Sequence, residues 1–219
     1  MLDSTAFKAV PLLFEGFQLW KLHTPGDYAG FFAILLAGSA VLWAATQHLK
    51  KNRTRERALA RTAAKLRKLG GPGAEVYTDR TIRCGTESAP SELIMVSADR
   101  VYVGRVFHYG LNVTGGANMR EWLLKSGTEL RKEENPVPAM REQRSLLLKV
   151  FSKEKLKDIP VEFLIVFADC YGRTTFRVDG IQNAVDYRDL KSWWKKRPAR
   201  FSGRIDMAEV KKVLDRTLS

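Results

Sequence analysis

Cysteine and histidine are scarce in this chain. Its 219 residues hold two cysteines, Cys84 and Cys170, and three histidines. The cysteines show no paired spacing, so no zinc site of the Cys-x-x-Cys kind is present, and isolated thiols suit a reducing compartment. Only His108 lies beyond residue 49. A Ser-His-Asp arrangement would have to use it, and a single histidine near a strand end is more often structural. No phosphate-binding Gly-x-x-x-x-Gly-Lys loop occurs, and the glycines of Gly70–Gly73 are explained as a helix stop. Internal repeats and low-complexity tracts are absent as well.

Charge is missing from one long stretch. Tyr28 to Leu49 (YAGFFAILLAGSAVLWAATQHL) holds no Asp, Glu, Lys or Arg. Roughly 18 such residues in a row suffice for a helix to cross a bilayer, and soluble buried helices seldom stay uncharged on every face for so long. Upstream, Asp3, Glu15 and Asp27 outnumber Lys8 and Lys21. Downstream, Lys50, Lys51, Arg53, Arg55, Arg57 and Arg61 are opposed only by Glu56. Basic residues beside a span stay on the cytoplasmic side. This predicts a single span with its N-terminus outside and its C-terminal domain inside. A cleavable signal peptide is the competing reading. It requires a short basic leader, whereas this leader is long and slightly acidic, although Ala44 and Ala45 are small enough for a cleavage site. Ala33/Ala37 and Ala40/Ala44 have the small-xxx-small spacing of associating helices, a pattern common in any Ala-rich span.

Acids are few in the remainder. The net charge is +13, and the first 49 residues hold two lysines and three acids, which leaves 35 Lys+Arg against 21 Asp+Glu. That excess favours polyanions, either nucleic acid or the anionic inner surface of a membrane, and charge alone does not choose between them. The expected organisation is an extracytoplasmic or interfacial segment (1–27), the transmembrane helix (28–49), a basic juxtamembrane helix (50–70) and an α/β domain (71–219). Within the first segment, Ala9–Trp20 is apolar enough to lie along the outer interface.

Arg53–Leu69 reads as a helix, with Leu59, Ala63 and Leu66 at helical spacing. Glu56 falls on the same stripe. A carboxylate there is either functional or a solvated first turn, and periodicity alone favours the second. Glu75–Ile82, Glu92–Ser97 and Val101–Phe107 read as strands, the last two as a hairpin across Ala98-Asp99-Arg100. Alternation puts Val101, Val103, Arg105 and Phe107 on one face. Gly110, Gly115 and Gly116 loosen the following segment, where Trp122 stands in a polar stretch. Asn135-Pro136 opens a helix, Val161–Phe167 is the strongest strand and reads as central, and Thr174–Val178 is a shorter one. Arg188–Lys196 and about Met207–Leu218 close the chain as helices, the latter with Asp206 and Glu209 at capping-box spacing. Together these give a mixed α/β sandwich.

From Lys191 to Arg204 the chain reads KSWWKKRPARFSGR. Lys191, Lys195, Lys196, Arg197 and Arg200 neutralise phosphates in such a segment, and Trp194 stacks on bases. The same composition suits an anionic lipid surface, and a third reading has Trp193 packed inward beneath a solvated charged face.

The order of these features resembles the nuclease-related (NERD) domain of the restriction-endonuclease-like superfamily. The resemblance rests on Arg55-Glu56, Ser91–Ser97, Arg100–Phe107, Gly115-Gly116, Trp122, Asn135-Pro136-Val137 and Phe163–Phe167, and covers roughly residues 53–196. It implies a restriction-endonuclease-like mixed sheet flanked by helices, here preceded by one transmembrane helix. In active relatives, acids on the opening helix and the hairpin strands hold a divalent metal, and a lysine two positions after the second acid positions water. Glu56 and Glu92 stand at the first two acid positions and would be the catalytic and metal-ligating residues, with Mg²⁺, in an active enzyme. The second hairpin acid is replaced by Arg105 and the lysine by Phe107, and Tyr102 to Tyr109 contain no acid.

The expectation is therefore a bacterial inner-membrane protein whose degenerate nuclease-related domain binds nucleic acid without a resident cofactor. Arg105 would be its positive centre and Lys191–Arg204 a flanking surface. Two alternatives stay open: an active metal-dependent nuclease with a displaced carboxylate, and a non-catalytic scaffold subunit of an envelope complex. A second copy of the chain and an envelope-complex partner stay open as partners.

Overall fold

The computed structural model describes residues 25–156, 158–197 and 205–219. The segment Ala9–Trp20 and the residues Arg200, Phe201 and Arg204 lie outside them. Contacts divide the chain into two units, Met1–His48 and Leu49–Ser219.

Helix α1 (Pro25–Asn52) begins in the first unit and contains Tyr28–His48, which is long and apolar enough to cross a membrane. Phe32, Leu36, Val41 and Trp43 on this helix are all exposed. At about 1.5 Å per residue its 28 residues reach beyond a hydrocarbon core of roughly 30 Å. Two of its hydroxyls bond within the helix: Ser39 donates to the Leu36 carbonyl (2.9 Å) and Thr46 to that of Trp43 (2.7 Å).

The second unit begins its globular part with helix α2 (Arg55–Gly70), capped by the Thr54 hydroxyl. Ala58, Leu59, Thr62, Ala63 and Leu66 form its buried side, so this helix is part of the core rather than a separate juxtamembrane rod. Strands β1 (Glu75–Cys84), β2 (Glu87–Val96) and β3 (Val101–Phe107) make an antiparallel meander. Strands β7 (Val161–Phe167) and β9 (Ala184–Asp186) extend it in parallel, giving the order β1-β2-β3-β7-β9. The near-continuous apolar runs of β3 and β7 follow from this interior position, where both faces are covered.

Helix α2 and helix α4 (Leu190–Lys196) pack on one face, against Leu93, Met95, Tyr102 and Leu164. Helix α3 (Pro136–Lys153) and helix α5 (Met207–Thr217) cover the other, against Ile94, Val96, Val101 and Val103. Asn135 caps α3 by accepting from the Val137 N–H, and Asp206 caps α5 by accepting from Ala208 and Glu209.

A second sheet, not anticipated from the sequence, combines three strands inserted between β3 and α3 with the expected strand that follows β7. Strands β4 (Asn112–Gly116), β5 (Glu121–Ser126) and β6 (Glu129–Glu134), with β8 (Thr175–Asp179), run in the order β6-β5-β4-β8. Trp122 is fully buried here rather than lying in a polar stretch. Its ring stacks on Phe107 (5.6 Å between centroids), Phe107 on Phe167 (5.6 Å), and Phe167 on Phe176 (4.9 Å). This column joins the two sheets, each pair adding roughly 1 kcal/mol beyond its burial. Gly115 lies beneath it, because a Cβ there would stand 2.6 Å from the Trp122 ring.

Candidate functional site

The β2–β3 register pairs Leu93 with Gly104, and continuing it by one residue sets Glu92 opposite Arg105. Both then project to the α3 face, into a cleft of about 440 Å³ whose far wall is the start of α3. Glu92 is buried. Its Oε1 accepts from Arg55 Nε (2.9 Å), and its Oε2 accepts from the Val106 N–H (3.0 Å) and lies 3.3 Å from Arg105 Nε. Arg55 also donates to Asp79 on β1. Burial opposes the charge on Arg55, but its bonds and attraction to Asp79 and Glu92 outweigh this and raise its pKa. Arg80, Ser91, Glu134 and Gln143 complete the cleft, Gln143 donating to the Pro90 carbonyl (2.7 Å).

Glu56 is not part of this site. The side chain that reaches Glu92 from α2 is that of its neighbour Arg55, while Glu56 is exposed and does not line the cleft. One residue along a helix is a turn of about 100°, and the cap at Thr54 sets the phase so that Arg55, not Glu56, points at β2. The carboxylate pair expected to hold Mg²⁺ is therefore not assembled.

The groups present do not suit a divalent cation. Both Glu92 oxygens already accept N–H donors, and two guanidiniums stand where a cation would sit. Among the described residues no three His, Cys, Asp or Glu side chains converge as a metal ligand set. Phe107 is committed to the aromatic column.

The basic-aromatic segment divides in two. Arg197 turns inward, donating to the Tyr102 hydroxyl (2.6 Å) and to Asp99 (3.0 Å), with its guanidinium 3.5 Å from the centre of the Trp194 ring. Trp193 and Trp194 both pack against Tyr102. Trp194 and Arg197 are thus used within the fold, and the inward packing of Trp193 is what the structure places here. Lys191, Lys195 and Lys196 remain exposed.

Arg53 is a further engaged residue without a sequence signal. It donates to Ser126 (2.7 Å) and to the buried Asp169 (2.9 Å), with its guanidinium 4.0 Å from the Tyr109 ring and 4.4 Å from that of Tyr171. Asp169 also accepts from the Gly110 and Tyr171 N–H groups.

Comparison with family models, curated proteins and solved structures finds no match to this chain.

Proposed function

We propose that residues 50–219 form a nuclease-related, restriction-endonuclease-like domain that binds nucleic acid without hydrolysing it. In this reading Tyr28–His48 holds it at the inner face of a bacterial cytoplasmic membrane. The fold assignment is supported by the order of helix, three-stranded antiparallel meander, helix, and a strand parallel to the third. The topology is supported by the basic block that follows the apolar segment.

The observation that carries the functional reading is the closure of Arg55 and Arg105 on Glu92. Metal-assisted hydrolysis needs a cation to polarise the phosphate and ionise water. Here the cleft presents guanidiniums instead. The contact of Arg105 with Glu92 uses Nε, which leaves its Nη donors for a phosphate oxygen, and its side chain is 42% exposed. Lys191, Lys195 and Lys196 add sequence-independent attraction that weakens with salt.

The test uses the full chain in detergent micelles. Supercoiled and linear DNA should shift in a gel at low salt, be released as salt rises, and stay intact with Mg²⁺ or Mn²⁺. Cleavage that is lost in Glu92→Ala would overturn the reading in favour of an active nuclease. Binding confined to anionic vesicles would favour an envelope scaffold.

A further inference from the structure

Helix α3 has a hollow on each side. One is the cleft around Glu92. The other, about 680 Å³, lies between α3, the start of β7 and the loop Gly180–Asn183. Its floor includes Val137, Phe163 and Ile181, and its α3 rim carries Arg141 and Arg144. Those two arginines are exposed and three residues apart, so they share one helical face. Among the described residues neither forms an ion pair, whereas Arg53, Arg55, Arg100, Arg105 and Arg197 each do. The Arg144 guanidinium sits 5.8 Å from the Phe163 ring centre. Two adjacent like charges on a helix repel, and an anion bridging them would relieve that repulsion.

This hollow adjoins a smaller one of about 260 Å³ across Glu162, Gln182 and Asn183. The smaller one is lined by Trp193 and the exposed Lys196. Glu162 is no obstacle to an anion, because it is neutralised by the buried Arg100 (3.0 Å) and accepts from Asn183 (3.2 Å). Cations therefore stand at both ends, with an aromatic ring in each hollow and amide groups between them.

We infer that these two hollows form a track for a short stretch of single-stranded nucleic acid. Arg141 and Arg144 hold one phosphate, Phe163 supplies a stacking surface for a base, and Lys196 meets a phosphate further along. Alternating cations and aromatic faces are what a single strand offers partners for, whereas a duplex keeps its base faces stacked away. The inference takes its ligand class from the proposed function but places the strand on the opposite side of α3 from Arg105.

The experiment is fluorescence anisotropy of the full chain in micelles with a labelled oligothymidylate, its ribo counterpart and a duplex of equal length. Arg141→Ala/Arg144→Ala should weaken single-strand binding about tenfold or more, and Phe163→Leu about fivefold, with little change for the duplex. Because both arginines are exposed, the double variant should melt like the parent, which separates lost binding from lost folding. Arg83→Ala, at an exposed arginine of β1 that lines neither hollow, should leave single-strand binding within about twofold. Parental affinity in the double variant, or an equal loss in Arg83→Ala, would overturn the track while sparing the proposed function. A parent chain that binds no nucleic acid would overturn both.

Discussion

Replacing Glu92 by alanine separates a counter-ion from a metal ligand by the sign of a stability change. Its carboxylate meets Arg55 Nε, Arg105 Nε and the Val106 N–H within 3.3 Å. Removing one member of a buried ion pair costs about 3–5 kcal/mol when the partner charge stays buried. Here the Arg55 and Arg105 side chains are 40% and 42% exposed, so both relax into water and much of that cost is screened. The Val106 N–H cannot relax, since it lies inside β3, and leaving it unsatisfied costs about 1–3 kcal/mol. The expected total is about 2–3 kcal/mol of destabilisation, or roughly 5–10 °C in the melting temperature of a domain this size. Glu92→Gln keeps an acceptor for Val106 and should lose about half as much. A carboxylate held for a metal among other acids behaves oppositely, because its removal relieves repulsion and commonly stabilises. The assay is thermal unfolding of the full chain in micelles, followed by circular dichroism. A Glu92→Ala protein that melts at or above the parent temperature would refute the counter-ion argument.

Arg53→Ala should destabilise by about 2–3 kcal/mol, because the fully buried Asp169 keeps only backbone donors and two ring contacts are lost; an unchanged denaturant midpoint would contradict this. Gly115→Ala drives a Cβ into the Trp122 ring and should cost about 1–3 kcal/mol, with an altered near-ultraviolet dichroism spectrum. Burial, with Arg131 nearby, holds the His108 pKa below its ordinary 6.5. The unfolded chain therefore takes up a proton first, so this group's contribution is intact above about pH 6.5 and declines as pH falls from there toward the lower folded value. His108→Gln should flatten that part of a stability–pH profile, and an unchanged slope would count against it.

Strands β3 and β7 were legible to the residue because both faces of each are covered, which leaves nearly unbroken apolar runs. The shared face of Val101, Val103 and Arg105 was readable from alternation, whereas the pairing of Glu92 with Arg105 depends on a turn one residue longer than Ala98-Asp99-Arg100 suggests. The second sheet was not readable. Strand β6 (ELRKEE) is almost wholly exposed and has no apolar face, and β4 ends in glycines that look like loop but make room for Trp122. The choice between Arg55 and Glu56 turned on a cap one residue upstream of α2. Arg197 looked like a surface cation because its partners Asp99 and Tyr102 lie 98 and 95 residues away, a separation that no local pattern reports.

The central claim is that two guanidiniums, rather than a metal ion, neutralise Glu92. Manganese(II) binding to the full chain in micelles, followed by electron paramagnetic resonance, tests it most directly. The parent and Glu92→Ala proteins should give the same weak, unsaturable signal loss. A saturable site present in the parent and missing in Glu92→Ala would contradict the account.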